Sequence, residues 1–275
     1  MSGIAGGSRT TDNAANIPAL NFRYVPAGGF QRDDTAENVS VITKGYWLGE
    51  TAVTQELFEA VMGINPSAFC NAAKSPVERV SWYDAIAFCN KLSLLAGRQP
   101  VYSVVGVSDW PALAYSGIPS SGLNADWDAV AADMTKNGYR LPTEMEWMWA
   151  AMGADAAVGC AKPFAGSNGT NSIDDYVWYD INSGSKTHEV GKKAANELNL
   201  YDMSGNVWEW VWDWYDSYPA GNQTDYTGAA SGAYRVLRGG SWFFSEAFAS
   251  LANRLNDPPT YRLHDIGFRL VRSSE

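Results

Sequence analysis

Apolar and polar residues alternate along this chain in short runs, and the period changes before any run grows long. "FRYVPAGGFQRDD", from Phe22 to Asp34, reads as strand, turn and strand, which predicts the first hairpin of a sheet. Strand-like alternation returns in "VSVITKGYWLGETAVT", around Val41, Tyr46 and Leu48. The spacing then becomes helical. In "TQELFEAVMG", Thr54 is a natural N-cap, Leu57, Phe58 and Val61 share a face, and Gly63 supplies the stop. "PVERVSWYDAIAFCNKLSLLAG" predicts a second helix, capped by Ser81 with Asp84 in capping-box position and ended by Gly97. "YRLPTEMEWMWAAMG" predicts a short strand, a Pro-Thr break and a third helix from about Thr143. Arg98 to Gly138 is polar and turn-rich and reads as a long loop. Beyond Gly153 only short segments broken by Gly, Asn, Asp and Ser appear. The pattern predicts an α+β fold of short helices on small antiparallel sheets, with much irregular chain.

Composition supports a packed domain. Of 275 residues, 46% are hydrophobic and 13% aromatic, which excludes disorder for most of the chain. A net charge of −10 argues against nucleic acid as a partner, because the phosphate backbone selects basic surfaces. No apolar run approaches the ~18 residues of a membrane span. Residues 1–18 carry neither a basic n-region nor an apolar core and show no lipobox. They read as a flexible lead, with one domain over 19–275. Cys70, Cys89 and Cys160 form no CxxC and are odd in number; Cys89, inside "AIAFCNKL", reads as a buried small hydrophobe.

The second half of the chain carries denser signals. In "GNVWEW", Gly205 and Asn206 suit a tight turn, and Trp208, Glu209 and Trp210 then alternate along a strand. In "RVLRGGSW", Gly239 and Gly240 suit a bulge or a close backbone approach. "IGFRLVR" alternates as a closing strand, with Ile266, Phe268 and Leu270 on one side. Arg238 and Arg269 are candidates for structural ion pairs with Glu144, Glu146 or Glu209.

Four segments stand in order: "SPVERVSWYDAIAFCNKLS", "YRLPTEMEWMWAAMGA", "NLYDMSGNVWEWVWDWY" and "RVLRGGSW…IGFRLVR". Together, over roughly Phe22 to Arg272, they resemble the formylglycine-generating-enzyme (sulfatase-modifying factor) family, whose fold is a variant of the C-type lectin fold. The family's oxidase needs two copper-binding cysteines shortly after the GGS(W/Y) motif. The resemblance puts Phe244 and Ala249 there, and neither can be a thiolate. The iron-binding sulfoxide synthases of the same family use three histidines, and this chain has two, His188 and His264. GxSxG, HExxH and GK(S/T) are absent. The resemblance also allows calcium near "GNVWEW", with Asn206 and Glu209 as oxygen ligands; a turn residue and an ion pair are the equal alternative. No cofactor is required.

The tail resembles a further group with this fold, the variable proteins of diversity-generating retroelements, and among them the treponemal variable lipoproteins. Their variable segment runs from RGGSW through ANR, a Pro and an Arg to IGFR. Here the markers are Arg238–Trp242, Ala252–Arg254, Pro259, Arg262 and Ile266–Arg269, inside a variable region over 235–272. The resemblance implies ligand contact by the residues between them: Phe243, Phe244, Ser245, Phe248, Leu255, Asn256, Asp257, Tyr261, Leu263, His264 and Asp265. All of these are reachable from AAY codons by changing adenines; Glu246 is not. Phe248 and Leu255 are the ones expected to finish the core. The resemblance implies a non-catalytic surface protein that binds a protein or glycan, and that meets a membrane only through a lipid anchor. The alternative is a family oxidoreductase of unrecognised activity.

Overall fold

The computed structural model describes residues 5–70, 72–157 and 162–274. Three short helices form where local signals are strongest. Gln55–Met62 starts at Thr54, whose side chain accepts from Leu57 N–H, and stops at Gly63 in the left-handed conformation. Trp82–Leu95 carries the complete Ser81/Asp84 capping box. Glu144–Ala151 carries a second such box, between Thr143 and Glu146.

The strands form small sheets. The largest orders Arg9–Asp12, Leu20–Val25, Tyr46–Gly49, Val271–Ser273 and Tyr139–Arg140 side by side. Arg9–Asp12 pairs antiparallel with Leu20–Val25, so ordered structure begins inside the stretch expected to be a flexible lead. The expected hairpin from Phe22 to Asp34 does not close on itself. Leu20–Val25 pairs with Tyr46–Gly49, while Gly28–Gln31 pairs with Val39–Ile42 in a separate sheet. At Gly28 a Cβ would lie 2.3 Å from Cζ2 of Trp149, so glycine is what fits where the indole passes.

A four-stranded sheet carries the tail, ordered Arg254–Asp257, Arg235–Arg238, Trp208–Trp214, Ile266–Phe268. Its last pair is parallel, as is Gln223–Thr224 with Val39–Ile42, so the sheets are not purely antiparallel. "IGFRLVR" is two strands rather than one. Ile266–Phe268 ends beside Trp208–Trp214, and Val271–Ser273 joins the five-stranded sheet. Ile266–Val271 is buried throughout, because the segment passes between two packed layers.

The Arg98–Gly138 stretch is not a solvated loop. It contains a two-stranded pairing of Tyr102–Ser103 with Ala131–Ala132, and its Trp110, Ile118 and Trp127 are buried in the core with the second helix. Tryptophans also surround Arg235, whose guanidinium lies 3.6 Å from the Trp82 ring centre and 3.4 Å from that of Trp214. Burial lowers its pKa to about 9. Cys89 is free and buried as expected, Cys70 is free and exposed, and Cys160 lies outside the described residues. Among the described residues no helix is long and apolar enough to cross a membrane.

Candidate ligand-binding site

The tail leaves the Arg235–Arg238 strand through Gly239 and Gly240, at φ 99° and 78°. At Gly240 a Cβ would stand 2.7 Å from the Phe248 carbonyl oxygen, so only glycine lets the two stretches touch. Ser241 and Trp242 then turn inward. The Ser241 hydroxyl donates to Asp265 Oδ2 at 2.9 Å, and the Trp242 indole donates to the His264 carbonyl at 3.2 Å.

Four marker arginines staple the tail to the body of the protein. Arg238 and Arg254 converge on the buried Glu144, at 3.3 and 2.8 Å. Arg262 forks onto both oxygens of Asp84, the capping carboxylate of the second helix, at 2.6 and 2.8 Å. Arg269 pairs with Glu209 at 2.8 Å. Fork geometry and burial make such charge-assisted contacts stronger than exposed pairs. Irregular backbone is thereby held in place by arginines whose carboxylate partners are buried.

Between the staples, side chains emerge. Phe243 is 57% exposed, Tyr261 47% and Leu263 41%, and Ser245 is exposed beside them. The His264 ring is half-buried, edge-on to Trp242 at 5.2 Å and to Phe243 at 5.8 Å. Phe244 and Phe248 lie 4.9 Å apart and meet Trp208 edge-on at 5.7 and 6.4 Å. They and Leu255 are half-buried against the main core, so Phe244 joins the two residues expected there. Asn256 and Asp257 are half-buried on the edge strand; burial, followed by the charge of Asp265, raises the Asp257 pKa to about 6.

Asp265 departs from its expected place in the contact surface. It is 4% exposed, holds the Ser241 hydroxyl, and its carbonyl accepts from Trp208 N–H. It supports the site from beneath, because it sits where the last strand joins the sheet.

Asn206 and Glu209 are both buried and hydrogen-bonded. Asn206, at φ 64°, accepts from His188 N–H and donates to the His188 carbonyl, at 3.0 and 3.1 Å. Glu209 takes Arg269 on both oxygens and the Trp147 indole N–H at 2.7 Å. Their oxygens therefore serve a loop clamp and an ion pair. Among the described residues, no group of three or more His, Cys, Asp or Glu is placed to hold a metal ion.

Sequence reading missed three loops that border the tail. Phe69 meets Trp242 edge-on at 5.4 Å. The backbone N–H of Arg79 donates to the Leu263 carbonyl at 2.9 Å, and that of Asp180 to the Phe244 carbonyl at 3.1 Å. No local pattern marks these residues; only the folded chain brings them there.

Comparison with known proteins agrees with this architecture. The solved structure titled Treponema denticola variable protein 1 superposes with a TM-score of 0.87 at 42% identity, covering 97% of this chain and 99% of that one. The chaperone protein LppX of Paenibacillus barcinonensis is 31% identical over 99% of this chain and 96% of its own length. The formylglycine-generating enzyme of Streptomyces coelicolor is 30% identical over 56% of this chain, which spans about half, 52%, of that enzyme. The model of the sulfatase-modifying factor enzyme 1-like domain matches residues 3–274. With its mixed α+β, C-type lectin-like fold, the chain belongs to the family of sulfatase-modifying factor enzyme 1-like domains.

Proposed function

We propose that the protein is a non-catalytic receptor, displayed at the cell surface, whose tail over 235–272 is diversified by a retroelement to bind varied protein or glycan ligands. The observation that carries this reading is the sorting of the tail into two classes. The marker arginines are paired with carboxylates of the body, and the intervening Phe243, Ser245, Tyr261 and Leu263 face solvent. Side chains in the second class can be exchanged at little cost to the fold. Exposed rings give large contact area with few rotors to freeze.

The likeness to a structure titled as a variable protein supports the same reading. The family's oxidase chemistry has no thiol here. Phe244 packs on Trp208, and Ala249 is buried where the second cysteine would stand. The receptor needs no cofactor.

Deep sequencing of the gene's 3′ end across a growing population, with the upstream region as control, tests the proposal. The expected result is substitution concentrated at codons 243–264, with Arg254, Arg262, Arg238–Trp242 and Ile266–Arg269 spared. A tail that varies no more than the rest of the gene overturns it.

A further inference from the structure

We propose that the diversified patch is half of a bipartite face, completed by fixed residues of neighbouring loops, and that the whole takes a basic, apolar-flanked peptide segment of a partner protein. This inference rests on the tail being the ligand site.

The fixed half begins at the Asp180–Ser183 loop. Two hydrogen bonds stitch it to the tail: Asp180 N–H to the Phe244 carbonyl at 3.1 Å, and the Ser183 hydroxyl to the Trp242 carbonyl at 2.9 Å. Between these two bonds Ile181 stands 79% exposed, the largest exposure of any large apolar side chain among the described residues. Its loop meets the tail at Trp242 and Phe244, the residues on either side of Phe243. The half-buried Phe69 ring meets the same Trp242 edge-on at 5.4 Å. A single exposed apolar residue needs no explanation. An exposed isoleucine on a loop bonded to the tail on both sides of an exposed phenylalanine forms part of an interaction surface.

The charge beside it is negative on balance, with Asp174, Asp175, Asp180 and Glu246 against Lys186 and Lys193. Asp180 and Glu246 are exposed, and both act, with Asp174, on the same tyrosine. Tyr179 donates its hydroxyl to Asp174 at 2.9 Å; burial first, then these three carboxylates, push its pKa up to about 12. Lys193 is already committed, lying 4.0 Å above the Trp178 ring and donating to the Asp174 carbonyl. The exposed Arg79 sits at the opposite end, by Leu263. The Ile181 end thus presents apolar surface with an excess of carboxylates over lysines, on a chain of net charge −10. A lysine or arginine flanked by apolar side chains complements both features. Apolar burial supplies affinity, and the rim charges supply steering and salt dependence.

The test uses the full chain and short fluorescent peptides in an anisotropy titration: one alternating Leu and Lys, one Leu and Glu, one Ser and Lys. Only the Leu-Lys peptide should bind. Ile181→Ser should weaken it about tenfold, the loss expected for one buried aliphatic side chain. Asp180→Asn with Glu246→Gln should weaken it and flatten its salt dependence. Leu95→Ser, at an exposed apolar residue of the second helix, should change nothing. Equal binding of the three peptides, or indifference to Ile181→Ser, overturns the proposal. Immobilised neutral oligosaccharides bound in a way that needs Phe243 but not Ile181 overturn it while preserving the receptor reading. Binding of every probe unaffected by Phe243→Ser and Tyr261→Ser overturns both.

Discussion

Arg269 donates three hydrogen bonds to Glu209, at 2.8, 3.0 and 3.1 Å, in a core where both side chains are buried. The same guanidinium also binds the carbonyls of Gly49 and Tyr201, at 2.9 and 2.8 Å. One side chain thus ties the two strands of the tail's end to the Tyr46–Gly49 strand and the loop before "GNVWEW". Removing one partner leaves a buried charge alone. Glu209→Ala should therefore cost about 3–5 kcal/mol in urea unfolding. Replacing both partners by apolar residues, Glu209→Leu with Arg269→Met, should recover part of that loss. A loss below 1 kcal/mol in the single variant would mean that solvent reaches the pair.

The tail should split cleanly in a stability scan. Phe243→Ser and Tyr261→Ser should stay within about 0.5 kcal/mol of the parent, as exposed positions do. Phe244→Ser and Phe248→Ser remove rings from Trp208 and should each cost about 2 kcal/mol or more. Thermal unfolding of the four variants checks this. Equal losses across the set would remove the distinction on which the receptor reading depends.

Asp202 offers a pH test. Its carboxylate is buried at φ 53° and accepts from Gly191 N–H at 2.8 Å; burial raises its pKa to about 6. In the unfolded chain the group titrates near ~3.9. A raised folded value contributes stability that is complete below ~3.9 and is lost as pH rises through about 6. Asparagine tolerates the same backbone conformation and stays neutral. Asp202→Asn should accordingly be more stable than the parent at neutral pH, by on the order of 2 kcal/mol, with the gap closing towards pH ~4. Paired denaturation curves across that range check the sign. A gap that widens as pH falls would contradict the burial argument.

Calcium should have no effect on folding stability, because the oxygens of Asn206 and Glu209 are already engaged. Melting in chelator and in excess calcium should coincide. A calcium site at hundredfold excess over its Kd would add about 2.7 kcal/mol, an easily seen shift. Such a shift, lost in Asn206→Ala, would reinstate the pair as ligands.

What the sequence determined by itself was local or modular. The caps at Thr54 and Ser81 are legible because a cap is a contact between residues three apart; the start near Thr143 is legible too, although sequence reading missed its capping box with Glu146. The marker residues of the tail are legible because their order along the chain carries the resemblance, and Arg238 and Arg269 could be read as seekers of carboxylates. Tertiary structure alone decided which carboxylate each one took. Arg238 went to Glu144 and Arg269 to Glu209, while Glu146 was claimed by Arg140 across a short turn, at 2.6 Å. It also separated the hairpin expected over Phe22 to Asp34, whose two strands took partners in different sheets. It buried Asp265 and exposed Phe243, although both fall among unpatterned residues of one segment. Irregular backbone has no period from which a facing direction can be read. Its side chains point where distant hydrogen bonds and ion pairs hold the chain, and those partners are brought together only by folding.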